Sequence, residues 1–282
     1  MISGMMKNCI NGSVLVLSLA AVAYGGSVDF VTDKAQHDYA ARFRSSYHLG
    51  NQLDQKSLEA MIQFLRRAPK DDVITPDELA SLKNNIADVL IEQKSLAPRL
   101  LDEFLAMYAD PVQGVTWHNY VVQKIPAICI QLEDRKLVAR ALDFLWGVAR
   151  DQKAGYICEA FLGLDRINAA RSDQVSSSDL RRETLACLES KQTPPEVKGI
   201  VVQILAKHDG PTARQKALSY LATESSIMLK ASSLAVLAKT GRVEDIAVIK
   251  PYTLSADVRL GEASRAALKS LQKQDAIATE AK

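Results

Sequence analysis

From Leu53 onward apolar residues recur every third or fourth position, with almost no alternating stretches. That is the period of helices that bury one face. The pattern predicts helices over 30–48, 54–67, 76–93, 97–109, 116–132, 135–149, 154–170, 179–190, 195–207, 212–223, 227–240, 243–254 and 258–273, an all-α chain. Ala and Leu number 37 and 33, so intrinsic propensity points the same way as the periodicity. The breaks carry their own chemistry. Thr75-Pro76-Asp77-Glu78 and Thr193-Pro194-Pro195-Glu196 place a hydroxyl at an N-cap, Pro at the first helical position and Glu where it can bond back to the cap. Gly210 and Gly241 follow apolar stripes, where a left-handed residue closes a helix. Pro98, Pro111 and Pro211 fall at or near helix starts.

The helices also resemble one another. Placing Val197-Lys198 on Leu229-Lys230, an offset of 32, superposes Val202 on Leu234, Leu205 on Leu237, Ala206 on Ala238 and Lys207 on Lys239. A further offset of 31 brings in Leu260 and Leu268, with Arg265 in place of the middle Leu. Leu137, Leu142 and Leu145 keep the same anchor spacing, as do Leu180, Leu185 and Leu188. A hairpin of about 30 residues has too little interior to bury both its apolar faces, so neighbouring hairpins must stack into one elongated core.

These residues resemble the HEAT-repeat, armadillo-like family, most clearly over 194–272. The resemblance is carried by the Val/Leu-Lys-like helix openings, Leu-Ala-Lys at 205–207 and 237–239, Gly241 at a hairpin turn, and Asp257-Val258-Arg259 leading into Ala263, Ala266 and Ala267. The family's interior Asp and Arg ladder is matched only by Asp257 and Arg259. The resemblance implies a right-handed α–α superhelix, a solenoid of stacked hairpins, used as a scaffold or protein-binding surface. The Trp, Gly, Tyr and Pro signature of tetratricopeptide arrays at a 34-residue period is not found; Trp117 and Trp146 stand 29 apart in dissimilar contexts.

The first residues read as an address. Lys7 is the only charge before Asp29, and Val14 to Ala23 is an apolar run closed by Ala21-Val22-Ala23. This is a signal-peptide layout over 1–23 with cleavage set by Ala21 and Ala23. The run is too short to span a bilayer of about 30 Å, so no stable membrane span is expected after cleavage. Cys9 precedes the run, unlike the lipidated Cys of a bacterial lipoprotein. The mature chain would hold 34 basic and 33 acidic residues. Such a balance gives no broad drive toward nucleic acid or anionic lipid. The expected location is periplasmic or secreted, and the lack of Asn-x-Ser/Thr in the mature part fits a bacterial source. The polar gap from Ser172 to Asp179 divides the rest into an N-terminal helical sub-array, 24–171, and HEAT-like repeats, 179–273, with 274–282 a flexible tail.

Motifs for chemistry are scarce. Cys129, Cys158 and Cys187 sit among apolar neighbours and read as buried thiols, ahead of one disulfide and one free thiol. His37, His48, His118 and His208 form no His-x-x-x-His pair and read as surface or capping residues, so no metal or cofactor is expected. No Gly-x-Ser-x-Gly elbow or phosphate-cradling loop occurs. Asp102 with Glu103 and Glu133 with Asp134 read as solvated helix ends. Tyr39, Phe43 and Tyr47 make one stripe that docks a helix, leaving Arg42 and Arg44 to face water. Trp117 and Tyr120 read as core packing. Lys198, Lys230 and Arg259 open related helices, and stacking would align them as a row of cations able to bind carboxylates or phosphates of a partner. The expectation is an exported, non-catalytic scaffold that holds a protein partner or extended peptide segment. The alternative is an exported helical enzyme acting on polysaccharide or cell-wall material.

Overall fold

The structure, a computed structural model, describes residues 27–50, 53–151 and 155–280. The leader 1–23, with Ala21 and Ala23, lies outside the described residues, as do Ala281 and Lys282 of the expected tail. Helices and turns account for the described residues, with no strand among them. The helices are α1 (Val28–Thr32), α2 (Tyr39–Ser46), α3 (Gln55–Arg66), α4 (Pro76–Glu92), α5 (Ala97–Ala109), α6 (Val115–Gln131), α7 (Arg135–Arg150), α8 (Ile157–Ala170), α9 (Ser177–Glu189), α10 (Pro195–His208), α11 (Gly210–Thr223), α12 (Ile227–Thr240), α13 (Ile246–Ile249) and α14 (Val258–Glu280). The chain divides into two compact units between Lys124 and Ile125.

In the first unit alternate helices are joined. Asn85 of α4 donates to Ser46 of α2 at 3.1 Å, and Lys124 of α6 pairs with Asp88 of α4 at 2.6 Å. Arg66 of α3 makes a two-pronged pair with Glu103 of α5, and Arg99 of α5 does the same with Glu59 of α3. The core lies between these rows, with Phe64, Leu82, Ile86, Phe104 and Trp117 closed to solvent.

The second unit repeats the arrangement with a shorter period. α10 packs on α12, and α12 on α14; α11 packs against both α10 and α12. Arg259 at the start of α14 meets Met228 at the start of α12, while Ser270 donates to the Ala238 carbonyl near the end of α12 at 2.6 Å. α12 and α14 therefore run parallel. α10 and α12 do so too, since Gly199 lies on Ser232 and Leu229 while Gly210, just past α10, lies on Thr240. The other row is tied by Arg150 of α7 to Glu183 of α9 at 2.8 Å, and by the Tyr220 hydroxyl of α11 to the Leu188 carbonyl of α9 at 3.5 Å. Tyr252 in turn donates to the Leu221 carbonyl at 2.7 Å. Equivalent positions on α10 and α12 are buried: Val201 with Ser233, Val202 with Leu234, Ile204 with Val236 and Leu205 with Leu237. The offset of 32 read from the sequence is thus a packing repeat.

Local chemistry alters several expectations. The helix expected over 30–48 is split into α1 and α2, because Asp33, Gln36 and Asp38 side chains capture the Ala35, Asp38 and Ala41 N–H groups. Thr75 and Glu78 form their reciprocal cap. Thr193 does not cap α10: Pro194 takes the cap position, and the buried Thr193 hydroxyl donates to the Cys187 carbonyl at 2.7 Å. The 243–254 segment breaks into two 3-10 turns flanking α13, with Pro251, which lacks an N–H, inside the second. α14 runs on to Glu280, past the expected end at 273.

Gly210 and Gly241 are not left-handed. Gly210 is the first residue of α11, and Gly241 has φ −70°. Gly241 is needed for space instead: its N–H bonds the Leu237 carbonyl at 2.8 Å, and a Cβ there would overlap that same oxygen and crowd Leu271 at 3.2 Å. Gly241→Ala is expected to lower stability by about 1–3 kcal/mol, read as a shift in the urea midpoint at unchanged slope.

Candidate functional site

The first turns of α10, α12 and α14 carry Lys198, Lys230 and Arg259. Because these helices lie side by side and parallel, the three residues occupy one edge of the second unit. Their surroundings differ. Lys230 Nζ stands 5.7 Å from the centre of the Tyr252 ring. Arg259 pairs with Asp257 in its own turn at 3.0 Å and donates to the Met228 sulfur at 3.6 Å. Lys198 is half-buried. The same edge exposes apolar side chains the repeat pattern did not reveal: Ile227 and Met228 open α12, and Leu254 and Val258, 89% and 67% exposed, flank the turn into α14. An edge mixing cationic and apolar groups can take a segment by both pairing and burial.

In the first unit charge is buried for structural reasons. Arg42 does not face water: it is fully buried, donating to Asp72 at 2.9 and 3.2 Å, to the Val31 carbonyl at 3.0 Å and to the Gln36 carbonyl at 3.3 Å. Arg67 reaches the same carboxylate at 2.6 Å, and both guanidinium groups lie over Phe64. Burial pushes the Asp72 carboxyl up, yet the bonds from Arg42 and Arg67 overcome it and hold the group below the usual carboxylate range. Arg44 is exposed. Tyr39 docks on α4 by donating to Ser81 at 3.1 Å, but the stripe does not continue inward, since Tyr47 is exposed.

Beside this network Lys83 is buried, donating to the Arg67 carbonyl at 2.6 Å and to Gln113 Oε1 at 2.7 Å, with its Nζ 5.1 Å from the Trp117 ring centre. Desolvation, reinforced by Arg67, lowers its pKa to about 7.

Of the expected solvated acids, Glu103 is instead buried between Arg66 and Arg99, while Asp134 caps α7. The three thiols are free; Cys129 and Cys187 are buried and Cys158 partly so. Burial pushes Cys129 and Cys158 up to about 11 and raises Cys187 as well, the opposite of what a nucleophilic cysteine requires. His118 contacts the Asp110 carbonyl at 2.9 Å, and His37 and His48 are exposed. His208 is not a surface residue: its side chain is 7% exposed and reaches Asp165 of α8 and Ser177 of α9. Sequence reasoning passed over this cluster because its members are 12 and 31 positions apart and no motif links them. The one available signal was the helical order, which brings the end of α10 back to the end of α8. Among the described residues no group of three metal-ligating side chains comes together, and no helix is long and apolar enough to cross a membrane.

No protein-family model matches the chain, and no curated protein matches it.

Proposed function

We propose that this is an exported interaction scaffold, a right-handed HEAT-like superhelix whose α10–α12–α14 edge holds an extended segment of a protein partner. The observation that carries the reading is the coincidence on that edge of Lys198, Lys230 and Arg259 with the exposed Ile227, Met228, Leu254 and Val258. The packing of alternate helices at a spacing of about 32 residues supports a stacked array, and the apolar run at 14–23 supports export. Apolar side chains contribute burial, and the cations select a segment with carboxylates or phosphates.

Immobilised mature chain, used as bait in envelope extract and culture medium, is expected to retain a defined protein. Lys198→Glu with Lys230→Glu should weaken that capture about tenfold, a loss of roughly 1.4 kcal/mol, while the helical circular-dichroism signal stays the same. Unchanged affinity in the doubly reversed chain would remove the cation row from the proposal. Turnover of cell-wall glycan by the purified chain, lost on removing two specific acids, would replace the scaffold with an enzyme.

A further inference from the structure

α8, α9 and α10 bring Asp165, Ser177 and His208 into one hydrogen-bonded line. His208 closes α10, with Nε2 2.9 Å from Asp165 Oδ1 and Nδ1 3.2 Å from Ser177 Oγ. In the neutral ring, a proton on Nε2 donated to Asp165 Oδ1 leaves the Nδ1 lone pair facing the serine hydroxyl. Lys207 Nζ grips the other carboxylate oxygen, Oδ2, and fixes Oδ1 toward the ring. The Asp165 and His208 side chains are 12% and 7% exposed, whereas Ser177 faces solvent.

The setting of Ser177 completes the arrangement. Ser176 caps α9: its hydroxyl accepts the Asp179 N–H at 3.1 Å and its carbonyl accepts the Leu180 N–H at 3.1 Å. The N–H groups of Ser177 and Ser178, in the first turn, have no acceptor within the helix and point out of its end.

We propose that Ser177 is an activated nucleophile, with His208 as its general base and Asp165 as a positioning residue, and that it takes an acyl group from small activated esters. Ser177 Oγ bonds to the ester carbonyl carbon as its proton passes to His208 Nδ1. The tetrahedral adduct then collapses, the bond from carbon to the leaving oxygen breaks, and the leaving alcohol takes that proton from Nδ1. Ser177 ends as an acyl ester and an alcohol departs, with no oxidant or reductant involved. The N–H groups of Ser177 and Ser178, unbonded within the helix, would be the donors available to the oxygen that becomes negative in the adduct. The open position of Ser177 admits small acyl groups without selecting a particular chain. This activity is independent of the scaffold edge, which lies at the other end of α10.

The folded full chain, treated with a fluorophosphonate and separately with p-nitrophenyl acetate, tests this by mass-spectrometric mapping of the adduct over time. Ser177 is expected to react about 100-fold faster than Ser176 or Ser178. His208→Ala should remove that advantage, and added imidazole should restore part of it. Asp165→Asn should slow labelling, whereas Asp165→Glu should keep most of it, with melting curves showing each variant folded. Equal labelling of Ser177 and its neighbours in the unaltered chain would overturn the proposal, as would an unchanged rate in folded His208→Ala.

Discussion

Asp72→Ala is expected to destabilise the first unit by about 3–5 kcal/mol, the effect of leaving a buried charge without its partner. The Asp72 carboxylate is shared by Arg42 and Arg67, and the side chains of Arg42 and Asp72 are both fully buried. Without the carboxylate two guanidinium groups would face one another over Phe64, and Arg42 could not reach water without abandoning the Val31 and Gln36 carbonyls. The carboxyl also accepts the Val73 N–H at 2.8 Å, so its removal loosens the turn into α4. Urea denaturation followed at 222 nm measures the difference, and a change below about 1 kcal/mol, the range of an exposed pair, would refute the buried-network description. The pH dependence has a definite sign. Asp72 is held below its ordinary value, so its stabilisation is complete above the pKa of the unfolded group and is lost as pH falls through the lowered folded value. The Asp72→Asn chain should lack that part of the acid-induced loss.

The second large effect concerns Lys83. Unfolded, its amine keeps a proton up to about pH 10.5; folded, burial beside Arg67 makes it give up the proton near pH 7. Between these values the unfolded chain binds one more proton, so raising the pH favours the folded state by about 1.4 kcal/mol per unit. From pH 7 to 9 the chain should gain about 2–3 kcal/mol that Lys83→Met does not gain. The comparison between the two chains cancels groups common to both, including the buried thiols. A second readout is optical. With Trp146→Phe, Trp117 is the sole tryptophan, and its emission should titrate near pH 7 as the ammonium over its ring loses charge. Parallel stability curves for the two chains would show that Lys83 stays protonated throughout.

The helical frame was readable because burial leaves a periodic mark. Val202 and Leu234 are buried at equivalent places on α10 and α12, and each lies in an apolar run that only a helix can turn to one side. Buried polar groups leave no such mark. Arg42 looked like any cation on an amphipathic face, since the fact that inverts its environment, the approach of Asp72, comes from thirty residues away. Glu103 was misread for the same reason, its partner Arg66 lying in another helix. Lys198, Lys230 and Arg259 were placed on one edge by the repeat alone, whereas the exposure of Leu254 and Val258 depends on the irregular turn before α14. Ser177, His208 and Asp165 needed three helix ends to be positioned at once.

α14 carries a consequence for how such an array can lengthen. Leu260, Ala267 and Leu271 of this helix, which packs on α12, are buried, while Glu262, Arg265, Lys269, Gln272 and Lys273 are exposed. A gene duplication adding another hairpin after this helix would meet a charged wall and leave its own apolar side wet. A duplicated hairpin would find apolar partners more readily between helices such as α10 and α12, which already pack on neighbours on more than one side.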